Sequence, residues 1–199
     1  MNEIIKPKSG QPIPDHAKKV FDGVIFDVYQ WEQEMFDGSK AIFEKIKRTD
    51  TAVVVALTDD GKIIVLEQEQ PAKGKYLSLP GGIVDEGEEP LDAAKRELLE
   101  ETGYEPGTID FWHYDIPSYK IDWTKYYFLA KGCIKVSDQK LDCGGERIEV
   151  KLVEIEEFLE LVFSEKMKSS DYIMKFLKEN LLVIDKEETY KRIKKHLLQ

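Results

Sequence analysis

The sequence contains little cysteine and no long apolar segment. Its 199 residues include two cysteines, Cys133 and Cys143, and neither belongs to a CxxC pair or lies near a pair of histidines. This usage argues against a zinc site or a disulfide framework, and we expect reduced thiols in a cytoplasmic protein. No window approaches the ~18 consecutive apolar residues that a membrane helix requires. We therefore predict neither a membrane span nor a signal peptide.

Basic residues are outnumbered by acidic ones. The chain has 29 lysines and arginines against 39 aspartates and glutamates, which gives a formal net charge of −10 at pH 7. Such a chain repels the phosphate backbone of nucleic acids, so the charge argues against a nucleic-acid partner. A phosphate-bearing ligand would need a bound cation to mediate its contact with the protein. The hydrophobic fraction of 42% is ordinary for a globular chain and excludes wholesale disorder.

Hydrophobic periodicity predicts an α/β protein. The order of strands, one helix, strands and then helices indicates a mixed sheet flanked by helices, not a repeated β-α-β unit. We divide the chain into a lead-in with a β-hairpin over 1–48, a core over 49–163 and a C-terminal helical extension over 164–199. Beyond the hairpin, strands are predicted over 51–57, 62–68, 76–79, 108–116, 124–134 and 147–153, and helices over 90–102, 155–163, 169–181 and 186–198.

The N-terminal hairpin is predicted from two alternating segments. Residues 1–19 carry several prolines and charges, and we expect them to be irregular. The first strand is predicted from Phe21 to Tyr29 and the second from Ala41 to Lys47. The Asp37–Ser39 segment between them contains Gly38 and has the composition of a turn.

The predicted helix over 90–102 concentrates acidic side chains on one arc. At ~100° per residue, Glu97, Glu100 and Glu101 lie together beside the apolar face of the helix. These carboxylates repel one another, and Glu100 and Glu101 stand in the last turn, where the helix dipole disfavours negative charge. A hard divalent cation, Mg²⁺ or Mn²⁺, would resolve this conflict and bridge the acidic chain to a phosphate. The plainer alternative is a solvated acidic face, which is common on helices.

Two features next to these carboxylates favour a built site. Arg96 lies beside Glu100 on the helix and Glu88 precedes the helix, so an arginine–glutamate pair would orient the carboxylates. Gly81 and Gly82 permit a tight backbone path, and the Gly81 carbonyl is a further candidate ligand.

The spacing of these residues is similar to the Nudix box. The positions that carry the match are Gly82, Glu88, Arg96, Glu97, Glu100, Glu101 and Gly103, and Tyr104 stands in the last, usually aliphatic, position. A match at this many spaced positions is not expected by chance. The chain therefore resembles the Nudix hydrolases over residues 50–163.

This resemblance implies a fold, a reaction and a set of site residues. The fold would be an α/β/α sandwich around a mixed sheet, with the box as a loop–helix–loop. The reaction would be metal-dependent hydrolysis of a nucleoside diphosphate linked to another group. The implied metal ligands are Glu97, Glu100, Glu101 and the Gly81 carbonyl, with Arg96 and Glu88 as the bracing pair.

The general base and the substrate contacts are also implied by the resemblance. In the ADP-ribose pyrophosphatase branch, a glutamate in a loop after the box activates the water, and residues 144–150 are similar to that loop. Glu146 is the first candidate base and Glu149 the second, although Glu146 as a surface turn residue stays open. Trp31 is a candidate for stacking on the substrate base, with ordinary aromatic packing as its alternative.

We therefore expect a Mg²⁺- or Mn²⁺-dependent pyrophosphohydrolase of the ADP-ribose or nucleotide-sugar type. Its N-terminal hairpin resembles that of the same branch, which uses it in a dimer, so we also expect a homodimer. Two alternatives remain. One is a house-cleaning nucleoside triphosphate pyrophosphohydrolase, against which the hairpin argues weakly. The other is a Nudix-like module that senses a nucleotide without cleaving it, against which the intact set of box carboxylates argues.

Overall fold

The strands and helices follow one another along the chain much as the sequence predicts. The computed structural model describes residues 4–141, 145–168, 170, 173 and 186–198. Its strands are β1 Lys18–Asp22, β2 Asp27–Glu34, β3 Lys40–Lys47, β4 Thr51–Thr58, β5 Ile63–Gln70, β6 Lys73–Ser78, β7 Gly81–Ile83, β8 Tyr104–Glu105, β9 Thr108–Asp115, β10 Ile121–Asp122, β11 Lys125–Lys135 and β12 Arg147–Val153. Its helices are α1 Pro90–Thr102, α2 Ile155–Phe163 and α3 Lys186–Leu198.

The N-terminal part forms a small sheet with the order β1-β2-β3-β10. Strands β2 and β3 pair antiparallel along their whole length, which confirms the predicted hairpin. At the predicted turn, the Met35 N–H donates to the Ser39 carbonyl and Gly38 has a φ of 80°, where glycine is favoured. Strand β10 joins the other edge in parallel with β3 and so links the hairpin to the core.

The prediction of one strand from Phe21 to Tyr29 is wrong. Strand β1 begins at Lys18, within the segment expected to be irregular, and β2 begins at Asp27. The Lys19 ammonium pairs with Asp27 at 2.8 Å and with Asp22 at 3.0 Å, across the base of the turn between the strands. The apolar residues in this turn are exposed, Val24 completely, so their alternation does not mark a buried face.

The larger sheet is mixed, as expected. Its strand order is β12-β5-β4-β11-β8, with β6 on β5, β7 on β4 and β9 on β11. Strand β11 runs parallel to β4, whereas the remaining pairs are antiparallel. The β-branched segment in β4 is almost completely buried, which agrees with its prediction as a central strand.

Helices cover both faces of this sheet. Alternate residues of β4 point to opposite sides, so Ala52 and Val54 join the cluster that includes Leu98 of α1. Val55 belongs to the second cluster, which contains Phe158 of α2 and further residues of α3. This arrangement is the predicted α/β/α sandwich.

The predicted helices over 90–102, 155–163 and 186–198 are confirmed at their bounds. The helix predicted over 169–181 lies outside the described residues, apart from 170 and 173. Helix α1 has Pro90 in its first turn and ends at Gly103, whose φ of 77° is left-handed and whose N–H donates to the Leu99 carbonyl. In the described part of the chain, no helix has the length and hydropathy needed to cross a membrane.

Candidate active site

A cavity opens where β7 leads into α1. Strand β7 pairs antiparallel with the start of β4, which fixes the two glycines of the box against the central sheet. The cavity has a volume of about 660 Å³. Its lining includes the acidic residues Asp85, Glu97, Glu100, Glu101 and Glu146, the basic residues Arg48, Arg96, Lys125 and Lys168, and Gln68, Gln70, Tyr76, Gly81, Gly82 and Trp123.

Arg96 links three acidic residues of the box, Glu88, Glu97 and Glu100. Its Nε and Nη2 atoms donate to the two oxygens of Glu88 at 2.9 and 3.0 Å. Its Nη1 atom donates to Glu97 at 2.8 Å and to Glu100 at 3.2 Å, and Nη2 also donates to the Ile83 carbonyl at 2.8 Å. All five N–H groups of this guanidinium are therefore engaged by the protein itself.

Glu88 lies at the start of this network. Its Oε2 atom also accepts a hydrogen bond from the Asp85 backbone N–H at 3.0 Å, which ties the carboxylate to the loop before α1. The hydrogen bonds from Arg96 lower the pKa of Glu88, so this carboxylate stays ionised and keeps its hold on the guanidinium. The predicted contact between Arg96 and Glu88 is thus present.

Glu97 lies against the backbone of Gly82. A Cβ atom at Gly82 would overlap the Glu97 carboxylate, so the glycine makes the space that this side chain occupies. The Glu97 side chain is 15% exposed. Burial raises its pKa, and the hydrogen bond from Arg96 opposes this rise.

Glu101 is held from the other side of the cavity. Its Oε2 atom accepts a hydrogen bond from the Gly81 backbone N–H at 2.7 Å. The amide of Gln68 lies 3.4 Å from Oε1, and the Tyr76 hydroxyl donates to that amide's oxygen at 2.7 Å. Burial raises the pKa of Glu101 to about 8, against the lowering effect of the Gly81 N–H.

The box carboxylates fit a hard divalent cation by their chemistry. Glu97, Glu100 and Glu101 line one cavity and supply oxygen ligands, and burial raises the pKa of Glu97 and of Glu101, an effect that a bound cation would oppose. In the present arrangement they turn toward Arg96 and the Gly81 N–H. Accordingly, within the described residues, no three histidine, cysteine, aspartate or glutamate side chains converge closely enough to hold a metal ion. Binding a metal would therefore require these side chains to reorient.

The two candidate bases lie in different places. Glu146 precedes β12, lines the same cavity as the box carboxylates and accepts a hydrogen bond from the amide of Gln70. Glu149 lies within β12, opposite Glu67 of β5, and faces a separate cavity of about 310 Å³. The structure therefore brings Glu146 to the cavity and leaves Glu149 outside its lining.

Trp31 lies in β2, away from the lining of the cavity. Its side chain is 5% exposed, its ring is tilted against Phe43 with centroids 6.1 Å apart, and its Nε1 atom donates to Gln33 at 3.2 Å. A stacking role for Trp31 stays a prediction.

Three of the basic residues on the cavity wall, Arg48, Lys125 and Lys168, could not be identified from the sequence. The Arg48 guanidinium lies 4.1 Å from the centroid of Trp123, and the Lys125 ammonium lies 4.7 Å from it. These residues meet because Lys125 stands opposite Thr51, the first residue of β4. That register follows from the pairing of distant strands, and no local sequence pattern reports it.

Comparisons with known proteins agree with this geometry. Residues 47–175 match the NUDIX domain family. A Bacillus subtilis (strain 168) protein named ADP-ribose pyrophosphatase is 32% identical over 150 residues, which cover 74% of this chain and 80% of that protein. The ADP compounds hydrolase NudE of Escherichia coli (strain K12) is 27% identical over 115 residues, 57% of this chain and 59% of its own.

A solved crystal structure of an ADP compounds hydrolase has the same fold. It superimposes with a TM-score of 0.64 at 17% sequence identity, and the match covers 87% of this chain and 98% of that one. The family match, which spans more than half of the chain, and the relative at 32% identity lead to one conclusion. The chain belongs to the Nudix family of pyrophosphohydrolases.

Proposed function

We propose that this enzyme hydrolyses the pyrophosphate bond of a nucleoside diphosphate linked to a sugar or a similar group, of the ADP-ribose or nucleotide-sugar type. The observation that carries the proposal is the convergence of the α1 carboxylates, Arg96 and Glu146 on one cavity, with Glu88 holding Arg96 in place. Similarity to the Bacillus subtilis protein supports the substrate class. The products would be two phosphate monoesters.

The box residues would form the metal site. Glu97, Glu100 and Glu101 would hold Mg²⁺ or Mn²⁺, with the Gly81 carbonyl as a further candidate ligand. The ion would supply positive charge for the diphosphate and lower the pKa of a bound water. Arg96, itself held by Glu88, keeps Glu97 and Glu100 at the cavity wall, and the Gly81 N–H holds Glu101 there.

Glu146 would act as the general base. Its carboxylate faces the cavity and takes the proton of the attacking water, while the amide of Gln70 orients it. The water oxygen forms a bond to one phosphorus, and the bond from that phosphorus to the bridging oxygen breaks. The bridging oxygen leaves on the second phosphate.

A substrate panel with two matched variants tests this function. The panel contains ADP-ribose, ADP-glucose, GDP-mannose, NADH, diadenosine polyphosphates and nucleoside triphosphates, assayed with Mg²⁺ as phosphate that a phosphatase releases from the products. We expect a preference for a diphosphate sugar. We also expect E146Q to lower kcat by about 10²-fold or more, with E149Q close to wild type. A preference for triphosphates, or equal losses in the two variants, would contradict the proposal.

We also propose that the enzyme is a homodimer. The small N-terminal sheet and its turns expose large apolar side chains, among them Val24, Phe36 and Ile42. Exposed apolar area of this kind marks interaction surfaces in many proteins. Light scattering on the purified chain checks this: a monomer mass across a concentration series would contradict it.

A further inference from the structure

The cavity contains positive charge that the Nudix box does not explain. Arg96 uses every N–H group on protein acceptors and has none left for a ligand. Arg48, Lys125 and Lys168 also line the cavity. Arg48 and Lys125 lie over one aromatic ring, whereas Lys168 comes from the segment that follows α2.

The backbone of Lys168 is fixed to the core. The preceding residue, Met167, is 3% exposed and forms an isolated bridge with Leu77 of β6. The Lys168 N–H donates to the Leu77 carbonyl at 2.7 Å, and the buried Ser170 hydroxyl donates to the Met167 carbonyl. The backbone of Lys168 therefore has a defined position, and its side chain lines the cavity.

Among the residues that the structure describes, none forms an ion pair with Lys168. The nearest negative charges that act on its ammonium are those of Glu146 and Glu101, and the Lys168 side chain is exposed. Desolvation and the like charges of Lys73 and Arg48 lower the pKa of Lys168, while the charges of Glu146 and Glu101 oppose this lowering. An anionic ligand in the cavity would therefore meet an exposed ammonium that can form a charge-assisted hydrogen bond with it.

A second lysine, Lys73, is a control that distinguishes a role of Lys168 in ligand binding from a general effect of surface charge. The ammonium of Lys73 lies 3.7 Å from the centroid of Tyr76, and that of Lys168 lies 5.4 Å from the same centroid. Lys73 does not line the cavity. The chain therefore offers two cations beside one aromatic ring, of which one reaches the candidate site.

We propose that Lys168 is a substrate-binding residue whose ammonium holds a phosphoryl group of the diphosphate substrate. The proposal rests on the proposed function, since the phosphoryl group belongs to the nucleoside diphosphate that the site would cleave. An ammonium on a flexible stem suits this role, because it follows the phosphate as a point charge without needing one fixed geometry. Lys168 would therefore act on substrate affinity, and the chemical step would depend on the box and Glu146.

Steady-state kinetics of matched variants test this role with the preferred compound of the panel. We expect K168M to raise KM by about 10-fold or more, as for loss of a charge-assisted hydrogen bond, with kcat within about twofold of wild type. K168R, which keeps the charge, restores KM to within about threefold. K73M removes a neighbouring charge outside the cavity and leaves KM close to wild type. Added salt raises KM less in K168M than in wild type.

Two outcomes of the steady-state kinetics alone would overturn the inference. One is an equal KM for K168M and K73M, and the other is a K168M that loses kcat while KM is unchanged. Because the Lys168 side chain is exposed, we expect the melting temperature of K168M to match that of K73M. A K168M melting temperature that is lowered, with K168R equally impaired in KM, would assign the residue a structural role instead.

Binding of inorganic pyrophosphate separates this inference from the proposed function. Isothermal titration calorimetry with Mg²⁺ present compares wild type, K168M, K168R and K73M. If no compound of the panel is cleaved but K168M binds pyrophosphate at least about tenfold more weakly than K73M, the proposed function fails and the role of Lys168 stands. Equal affinities would overturn the role of Lys168, whatever the panel shows.

Discussion

At the scale of single residues, Glu101 combines a buried carboxylate with a raised pKa. An ordinary glutamate titrates near 4.5, and burial raises the pKa of Glu101 to about 8. Between these values the folded protein retains a proton that the unfolded chain has lost. The free energy of unfolding of the metal-free protein should therefore fall as pH rises through this window, by at most about 1.4 kcal/mol per pH unit for this group.

E101Q checks this prediction, because glutamine remains neutral and its carbonyl can still accept from Gly81. Urea unfolding in EDTA between pH 5 and pH 8 should show a shallower decline for E101Q than for wild type. E105Q, which changes an exposed glutamate of β8, is the control and should follow wild type. Parallel declines in all three proteins would show that Glu101 is ionised throughout, and the buried carboxyl would not have the raised pKa.

At the scale of elements, the junction between β7 and α1 was only partly visible in the sequence. The bounds of α1 follow from Pro90 and Gly103, and the box spacing places Arg96 beside Glu88, so these features could be predicted. The pairing of Gly81 with Val53 of β4 could not, because β7 is three residues long and has no alternating pattern of its own.

Three basic residues that line the cavity could not be predicted from the sequence for a related reason. Arg48, Lys125 and Lys168 lie in separate parts of the chain and meet through the pairing of β4 with β11 and the bridge between Leu77 and Met167. The helical wheel, by contrast, uses local geometry alone, so it placed the α1 carboxylates together. The prediction of the first strand was wrong because apolar residues occupy both sets of alternating positions in that segment. Periodicity therefore does not identify a buried face there.

The same junction yields a prediction about Gly82. In G82A the new methyl group would displace the Glu97 carboxylate from its position against the backbone. We expect a Mg²⁺ affinity about 10- to 100-fold weaker, as for loss of a residue that orients a metal ligand. G74A is the control, because a Cβ at Gly74 meets no atom within 4 Å. Titration of Mg²⁺ by calorimetry measures both variants, and equal affinities would show that the contact between Gly82 and Glu97 does not position a metal ligand.

At the scale of the whole molecule, the C-terminal helix belongs to the core that supports the sheet. Ile193 and Leu197 of α3 join the cluster formed by α2 and one face of the sheet. The helix also reaches β9, because the Trp112 Nε1 atom donates to His196 at 2.8 Å. Residues near the end of the chain therefore cover the face of the sheet opposite to α1 and its carboxylates.

Two adjacent leucines of α3 test how much this packing contributes. Leu197 is 1% exposed and Leu198 is 50% exposed. L197A should lower the free energy of unfolding by about 2–5 kcal/mol, because it leaves a cavity in the shared cluster. L198A should change it by less than about 0.5 kcal/mol, because its side chain already contacts solvent. Urea denaturation measures both, and equal midpoints would mean that α3 is not docked on the sheet in solution. A large decrease in the free energy of unfolding for L197A alone would show that α3 unfolds together with the sheet. The same cooperative unit then includes β4, which pairs with β7 and so positions the Gly81 N–H that donates to Glu101.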